Sequence, residues 1–243
     1  IQWVFDGYLL TLGALVLVGG SLGDLLGKRS VFIVGTAAFG VTSVLCGLAP
    51  SALILILARM GQGCAAALVV PTSLALVNTL FSGKDRGKAI GAWSGLAGVF
   101  TAVGPFVGGL LVDTGTTGWR WVFLINIPLV VGAIALAVAT IPDVPGTRTQ
   151  APLRSQVDVL GGVLAVAGLA FVVGPLIEVA KLEVWVTIGL VMFGLILLAL
   201  LVVVENRREH TQHPPPMVSL SLFRIRTFSV ANVVTFVVYG ALG

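Results

Sequence analysis

The amino-acid sequence predicts an all-α polytopic membrane protein, and three observations support that fold class. First, 57% of its 243 residues are hydrophobic and only 10% are charged, whereas soluble domains average about 45–50% and 25%. Second, the apolar residues form runs long enough to cross a hydrocarbon core of about 30 Å. Third, the sequence lacks the short alternating segments of a membrane β-barrel. Helices are therefore the expected spanning structure.

Seven complete apolar runs, and an eighth that reaches the last residue, are predicted as membrane helices. They cover residues 4–22, 31–49, 52–80, 89–112, 121–141, 159–177, 184–204 and 228–243. The sequence begins close to one run and ends inside another, with no initiator Met and no signal peptide. We therefore expect the chain to be the middle part of a longer protein.

Lys and Arg are concentrated on one side of the predicted spans. Eleven of the fourteen lie in alternate connecting segments, whereas the other segments hold only Arg120 and Lys181. Short cytoplasmic segments retain Lys and Arg, so the first set is predicted to face the cytoplasm and residue 1 to begin outside. This asymmetry accounts for the net charge of +4. Because the cations are scattered over several segments, no nucleic-acid partner is expected.

No cofactor, metal site or enzyme is expected. "GQGCAA" satisfies G-x-G-x-x-A but lies within a span, and "LLGKRS" lacks the first Gly and the Ser or Thr of a phosphate loop. Cys46 and Cys64 lie in separate spans and are predicted to pack as thiols. His210 and His213 alone supply too few ligands for zinc. The spans show no nucleophile–base pair, which argues against an intramembrane enzyme.

Arg59 is one of two charged residues at positions where the bilayer makes a charge unfavourable. It lies several residues into its span, and a central Arg costs about 2.5–3.5 kcal/mol on insertion scales. We expect it to have an internal partner or to face a watery cavity. Gln62 follows at i+3 on the same helix face. The alternative is that Arg59 extends to the outer interface.

Asp6 is the second such residue. Gln2, Asp6 and Gly13 share one stripe of the first span by their i+4 and i+7 spacing. A carboxyl group in a partly dry cavity can exchange a proton near neutral pH. The alternative is an interfacial Asp that simply contacts water at the outer end.

The fourth run has a continuous face of small residues. Its members recur at spacings of three or four: Gly91, Gly95, Gly98, Ala102, Pro105 and Gly109. Such a face lets another helix approach closely or slide, and Pro105 favours a kink. Static tight packing is the alternative interpretation.

Several motifs resemble the major facilitator superfamily and, within it, the fourteen-span drug:proton antiporters. "GSLGDLLGKRS" resembles the loop signature G-x-L-x-D-x-x-G-[RK]-[RK] between the second and third helices. "LARMGQGCAAA" is similar to the fourth-helix signature, and "VGPFVGG" to the antiporter signature of the fifth helix, although Phe100 stands where that pattern has a further Gly. "QWVFDGYLL", "GWRWVFLINIPL" and "HPPPMVSLSLFRIRTFSVAN" are further resemblances.

The resemblance implies three regions. Residues 1–141 are an N-terminal transporter bundle that lacks its first helix, residues 142–204 are a cytoplasmic loop and two additional linking spans, and residues 205–243 are a cytoplasmic loop and the start of a C-terminal bundle. It also implies proton-coupled efflux by alternating access in a bacterial plasma membrane. The expected partners are an amphipathic small molecule, protons and the bilayer, with the proton gradient as energy source and no cofactor. A carrier for another solute or lipid, or a non-transporting membrane sensor or scaffold, is the alternative.

The resemblance further implies roles for individual residues. The proton-coupling and substrate cavity is expected to contain Gln2, Asp6, Tyr8, Arg59, Gln62 and Asn126. A conformational latch at the cytoplasmic rim is expected at Gly20, Asp24, Gly27, Lys28 and Arg29. The antiporter helix motif is expected at Gly104, Pro105, Gly108 and Gly109. The alternative for Lys28 and Arg29 is that they only hold their loop inside.

Overall fold

The computed structural model confirms the predicted all-helical fold. It describes residues 2–143, 146, 158–178, 182–211 and 224–242, and within these ranges every regular element is a helix. The helices are α1 (Gln2–Leu26), α2 (Lys28–Gly47), α3 (Ala52–Leu80), α4 (Gly83–Val112), α5 (Gly118–Leu124), α6 (Asn126–Thr140), α7 (Val159–Ile177), α8 (Val184–Thr211) and α9 (Arg226–Leu242).

Seven segments of the described chain are long and apolar enough to cross a membrane, with α5 and α6 counted as one. They correspond to the seven complete apolar runs of the sequence. Several helices extend beyond those runs: α1 continues to Leu26, α4 begins at Gly83 and α8 continues to Thr211. The added turns carry charged residues, which can reach water once the helix has left the hydrocarbon core.

The predicted span 121–141 is not one continuous helix. It is divided at Ile125 into α5 and α6. Pro128 explains the break, because its ring has no N–H to donate to the Leu124 carbonyl and would clash with that carbonyl in a regular helix. Asn126 consequently lies in the first turn of α6.

Helices α1, α2 and α3 form the most closely packed part of the structure. A Cβ added at Gly19 of α1 would overlap the Ala67 carbonyl of α3, and one added at Gly63 of α3 would overlap the Tyr8 carbonyl of α1. Small residues at these points let the two backbones approach closely. The Thr11 hydroxyl then donates a hydrogen bond across the interface to the Met60 carbonyl at 2.9 Å.

Helix α4 is packed very differently. It has no buried residue, and a Cβ added at any of its glycines would meet no other heavy atom within 4 Å in the described chain. The close approach expected on its small-residue face is therefore not made by any described helix. The helix continues through Pro105 to Val112.

Helices α7 and α8 pack against each other, and α7 also lies against α1. A Cβ added at Gly194 of α8 would lie 2.8 Å from the Gly168 carbonyl of α7, so the hairpin is tightly closed there. At one end of α7, the Trp3 indole Nε1 of α1 donates to Glu178 Oε1 at 2.5 Å. This arrangement places α7 along the side of α1 that faces away from Arg59.

Candidate functional site

A chain of polar contacts crosses the bundle at the level of Arg59. Arg59 Nε donates to the Val4 carbonyl at 2.8 Å, and its Nη1 donates to Gln62 Oε1 at 2.6 Å. Gln62 Nε2 donates to the Ser43 hydroxyl of α2 at 2.6 Å, and Asn126 Nδ2 of α6 lies 3.5 Å from the same hydroxyl. We call these contacts the Arg59 network. It joins side chains of α2, α3 and α6 to the backbone of α1.

Two aromatic rings flank the guanidinium group of Arg59. The ring of Tyr8 on α1 lies 4.3 Å from Arg59 Cζ, and the ring of Phe123 on α5 lies 5.9 Å from it. Contacts of a cation with an aromatic face contribute about 0.5–2 kcal/mol, with the larger values where water is excluded. Arg59 therefore has the internal partners expected of it and does not extend to the outer interface.

The centre of the Arg59 network is sealed from solvent. Gln62 is 1% exposed and Ser43 is 0% exposed. Buried polar groups of this kind are nearly always hydrogen-bonded, since leaving one unpaired costs about 1–3 kcal/mol. The Cys46 thiol lies 3.9 Å from Gln62 Oε1 and, like Cys64, is free. The network is thus a preorganised polar core inside an apolar bundle.

Asp6 does not join this core. Its carboxyl group lines a cavity with Gly13 of α1 and with Leu169 and Val173 of α7. Asp6 and Tyr8 are two residues apart and point about 200° away from each other around α1, so only Tyr8 faces Arg59. The structure therefore separates two residues that the sequence places in one cavity. It keeps Asp6 and Gly13 together on one stripe, as predicted.

Of the six residues expected in the cavity, four come together: Tyr8, Arg59, Gln62 and Asn126. Gln2 is exposed at the start of α1. Ser43 and Phe123 complete the site and were not singled out by the sequence. Ser43 gave no distinctive signal, because a single hydroxyl in an apolar run usually bonds within its own helix.

Four residues of the expected latch, Asp24, Gly27, Lys28 and Arg29, lie at or beside the turn between α1 and α2. Lys28 Nζ lies 3.7 Å from Asp24 Oδ1 and donates to the Thr79 hydroxyl of α3 at 3.1 Å. Arg29 Nη2 donates to the Val138 carbonyl at the end of α6, at 2.9 Å. These cations therefore connect the turn to the ends of two other helices in the same bundle.

Gly27 lies at this turn, whereas Gly20 lies within α1. Gly27 has φ +97°, a conformation that glycine adopts without the steric cost of a Cβ. Gly20 faces α3, where an added Cβ would lie 3.7 Å from Pro71 Cβ. Gly27 thus permits the reversal between α1 and α2 that positions Lys28 and Arg29.

The antiporter helix motif borders a groove beside the Arg59 network. Gly104 and Gly108 of α4 line a groove of about 430 Å³ that Asn126 lines from α6. Pro105 and Gly109 lie on exposed parts of the same helix. Asn126 therefore connects the groove to the Ser43 hydroxyl and the rest of the Arg59 network.

A second charged cluster, which the sequence did not reveal, lies between α7 and α8. Asp158 caps α7 by accepting a hydrogen bond from the Gly161 N–H at 2.5 Å, and it forms an ion pair with Arg208. Glu205 is buried beside it. Burial raises the pKa of the Asp158 carboxyl, but hydrogen bonds from Arg208, Glu205 and the Gly161 N–H outweigh it and hold that pKa below its usual value. His210 and His213, the other polar candidates of this region, lie outside the residues whose side chains are described.

A multi-pass helical bundle with a buried arginine network is typical of secondary transporters, in which intramembrane ionisable residues line substrate or ion pathways. The chain belongs to the Major Facilitator Superfamily, whose family model matches residues 1–159. This family consists of transporters rather than enzymes. Together with the bacterial relatives below, the spanning helices establish an integral, multi-pass location in a bacterial membrane.

Three relatives illustrate the similarity. The chain is 40% identical over 180 residues to the probable actinorhodin transporter of Streptomyces coelicolor, covering 73% of this chain and 30% of that protein. It is 34% identical over 243 residues to the methylenomycin A resistance protein of Bacillus subtilis, covering 100% of this chain and 50% of that protein. It is 34% identical over 250 residues to the multidrug resistance protein Stp of Mycobacterium tuberculosis, covering 100% of this chain and 44% of that protein. The chain therefore spans half or less of the length of these relatives.

Proposed function

We propose that the full-length protein exports amphipathic small molecules by alternating access, in exchange for protons that enter the cell. The observation that carries this proposal is the Arg59 network, which places a fixed positive charge and a chain of polar groups inside the membrane bundle. The names of the relatives, which refer to antibiotic transport and to antibiotic and multidrug resistance, favour export over import.

The proton gradient supplies enough energy for such export. One charge moved through 100 mV is worth about 2.3 kcal/mol, which is more than a tenfold concentration ratio requires. No bond in the substrate is made or broken, and no cofactor is needed. The protein has only to bind proton and substrate differently in its two states.

Asp6 is the proposed proton-binding carboxyl within this chain. Its Oδ2 atom is buried and has no hydrogen-bond partner among the described residues. Arg59 then has a different role: it holds Tyr8, Gln62 and the Val4 carbonyl in one arrangement, and that arrangement must be broken and remade when the helices move. An acidic residue elsewhere in the full-length protein would share the proton-binding role in this scheme.

The turn that contains Asp24, Lys28 and Arg29 is proposed to bias the equilibrium between the two states. Charges at helix ends contribute about 0.3–1 kcal/mol each. Contributions of this size shift a balanced two-state equilibrium several-fold. The contacts of Lys28 and Arg29 with Thr79 and the Val138 carbonyl give this turn partners that change if α3 and α6 move.

The test uses the full-length protein in inverted membrane vesicles, with the fluorescent cation ethidium as probe and an imposed pH gradient. We expect transport of ethidium that stops when nigericin collapses the gradient. Arg59→Ala and Asp6→Asn should each abolish the coupled transport while inserting normally, and the exposed Lys88→Ala should not. Unchanged transport in both site variants would exclude these residues from the mechanism. If the wild-type protein transported no amphipathic probe in response to the gradient, a sensor or scaffold function would be favoured.

A further inference from the structure

A buried cluster of charged side chains joins α7 to α8 at one end of their hairpin. Asp158 is 1% exposed and Glu205 is 3% exposed. Arg208, which forms an ion pair with Asp158, has a side chain that is 18% exposed. We call these three residues the hairpin cluster. The cluster lies at the end of the hairpin that is predicted to face the cytoplasm, and the proposed export mechanism uses none of its members.

The two carboxyl groups of the hairpin cluster converge on one small space. A Cβ added at Gly161 of α7 would lie 2.5 Å from Asp158 Oδ2 and 2.8 Å from Glu205 Oε1. A hydrogen bond joins the Glu205 and Asp158 side chains. Ionised carboxyl groups only accept hydrogen bonds, so a hydrogen bond between two carboxyl groups requires a proton on one of them.

The balance of charge in the cluster leads to the same conclusion. Arg208 supplies one positive charge, and its ion pair with Asp158 neutralises it. The neighbouring Arg207 is exposed. An ionised Glu205 would add a second negative charge in a space that is almost closed to water, and two carboxyl groups that share such a site resist ionising together. The pair therefore titrates as a unit and retains one proton.

Among the residues described, the helix packed against the other side of α7 supplies no cation to the cluster. The cavity beside Asp158 is lined from α1 by the aliphatic side chains of Leu15 and Val18. Asp24 is the charged residue of α1 that is nearest to them in sequence, and it lies about 180° from Leu15 around the helix. Arg208 is thus the cation that sets the charge of the cluster.

We propose that the hairpin cluster is a proton-binding site, which holds one proton at neutral pH and releases it when the water at that end of the hairpin becomes alkaline. On release, the O–H bond of the protonated carboxyl group breaks and its electron pair stays on the carboxylate. The proton passes to a buffer base or to hydroxide in that water. The cluster then carries one net negative charge.

Release of the proton should open this end of the hairpin. An uncompensated negative charge is unfavourable in a buried site, and the aliphatic lining from α1 offers no donor to stabilise it. The end of α8 relieves the charge by moving away from α7 and admitting water. The two linking helices would then respond to pH on the side of the membrane predicted to be cytoplasmic.

This site is independent of the proposed export function. Proton binding here requires no substrate, no gradient and no movement of the Arg59 network. The two proposals can therefore fail separately.

The first experiment records infrared difference spectra of the full-length protein in lipid nanodiscs between pH 6 and pH 9, in the region where protonated carboxyl groups absorb. We expect a wild-type carboxyl band that is present at pH 6 and lost by pH 9. Glu205→Gln should lack this band, because its amide can donate to Asp158 but carries no titrating proton. Glu183→Gln, the same change at an exposed position just before α8, should retain it.

Hydrogen exchange of the last turns of α8 tests the opening separately. Protection factors, which correct for the intrinsic exchange rate at each pH, report local opening. In the wild type they should fall by at least about tenfold between pH 6 and pH 9. They should stay constant in Glu205→Gln, which cannot acquire the extra charge.

A second variant tests the part played by Arg208 and keeps the test informative if Glu205→Gln inserts poorly. Arg208→Gln should shift the loss of the carboxyl band to higher pH, because the doubly ionised pair loses the cation that stabilises it. Arg208→Lys is the matched control, since it keeps the charge, and it should lose the band near the wild-type pH.

Three results would overturn the proposal. Identical carboxyl spectra of the wild type and Glu205→Gln would show that the pair holds no proton. A wild-type band that Glu205→Gln removes but that persists at pH 9 would show that the proton is not released. Wild-type protection that stays constant from pH 6 to pH 9 would show that the hairpin does not open.

Discussion

Helix α1 is closely packed on the side that faces α3 and loosely packed on the side that faces α7. Towards α3, glycines bring backbones together, and the Arg59 network satisfies the buried polar groups of Gln62 and Ser43. Towards α7, cavities remain and Asp6 has a buried oxygen without a hydrogen-bond partner in the described chain. A single amphipathic pattern cannot encode this difference, because both sides are apolar. One side of α1 is therefore a close backbone contact beside a buried, hydrogen-bonded charge, whereas the other side retains cavities beside a carboxyl oxygen that has no hydrogen-bond partner in the described chain.

The largest expected effect comes from placing the same side chain on each side of α1. Gly19→Leu would force a side chain into the Ala67 carbonyl, and overpacking against backbone should destabilise the protein by at least about 3 kcal/mol. Gly13→Leu should change stability by less than about 0.5 kcal/mol, as surface substitutions do. Thermal unfolding of the full-length protein, followed by intrinsic fluorescence in detergent, measures both. Equal destabilisation would show that α1 is packed alike on its two sides.

Asp158→Asn tests whether the α7–α8 hairpin depends on its ion pair with Arg208. Removing one partner of a buried pair costs about 3–5 kcal/mol, and we expect the lower end of that range because Arg208 keeps some exposure. The pKa of Asp158 is lowered in the folded state, so its stabilising contribution is complete above the unfolded value of about 3.9 and disappears as the pH falls through the folded value.

The measurement is the difference in unfolding free energy between wild type and Asp158→Asn at pH 7 and below pH 4. The difference should be large at pH 7 and should shrink on acidification. A difference that stays constant with pH would show that the Asp158 charge does not contribute.

Gln62→Leu removes the central link of the Arg59 network. The Ser43 hydroxyl would lose its donor, and Arg59 would lose its Oε1 partner. An unpaired buried polar group costs about 1–3 kcal/mol, and we expect a loss of about 2 kcal/mol together with loss of coupled transport. Gln62→Glu is the matched comparison, because it retains the oxygen facing Arg59. If Gln62→Leu transports normally, the network is structural only.

Asp24→Asn has the smallest expected effect. Its ion pair with Lys28 is exposed, at 3.7 Å, and exposed pairs contribute at most about 1 kcal/mol. We expect slower cycling with an unchanged range of substrates, measured as initial rates of ethidium transport alongside two unrelated amphipathic probes. An altered range with a normal rate would contradict the latch assignment.

The sequence predicted the spanning helices well because hydropathy and length alone define them. It predicted the helix ends poorly, because α8 continues through charged residues to Thr211. It also missed the break at Ile125, which Pro128 causes because it cannot donate a hydrogen bond to the Leu124 carbonyl. Where a helix continues beyond the bilayer its residues are no longer apolar, so the apolar run does not show where the helix ends. The proposed roles of individual residues came from the motif resemblance, because periodicity does not assign them.

The sequence grouped Asp6 in one cavity with Tyr8, Arg59, Gln62 and Asn126, and the structure brings the last four together but not Asp6. The two-residue offset between Asp6 and Tyr8 puts them on opposite sides of α1, but only tertiary packing determines which helix lies on each side. The Asp158–Arg208 pair was missed for the same reason. An Asp before an apolar run predicts a helix cap, whereas its partner on α8 depends on how the hairpin closes.

We propose that the Arg59 network is required for coupling substrate export to proton movement. The most direct test reconstitutes the full-length protein in liposomes that contain a pH-sensitive dye and records proton flux when ethidium is added. We expect substrate-dependent proton flux in the wild type and in Lys88→Ala, and none in Arg59→Ala at equal protein incorporation. Wild-type proton flux in Arg59→Ala would contradict the claim.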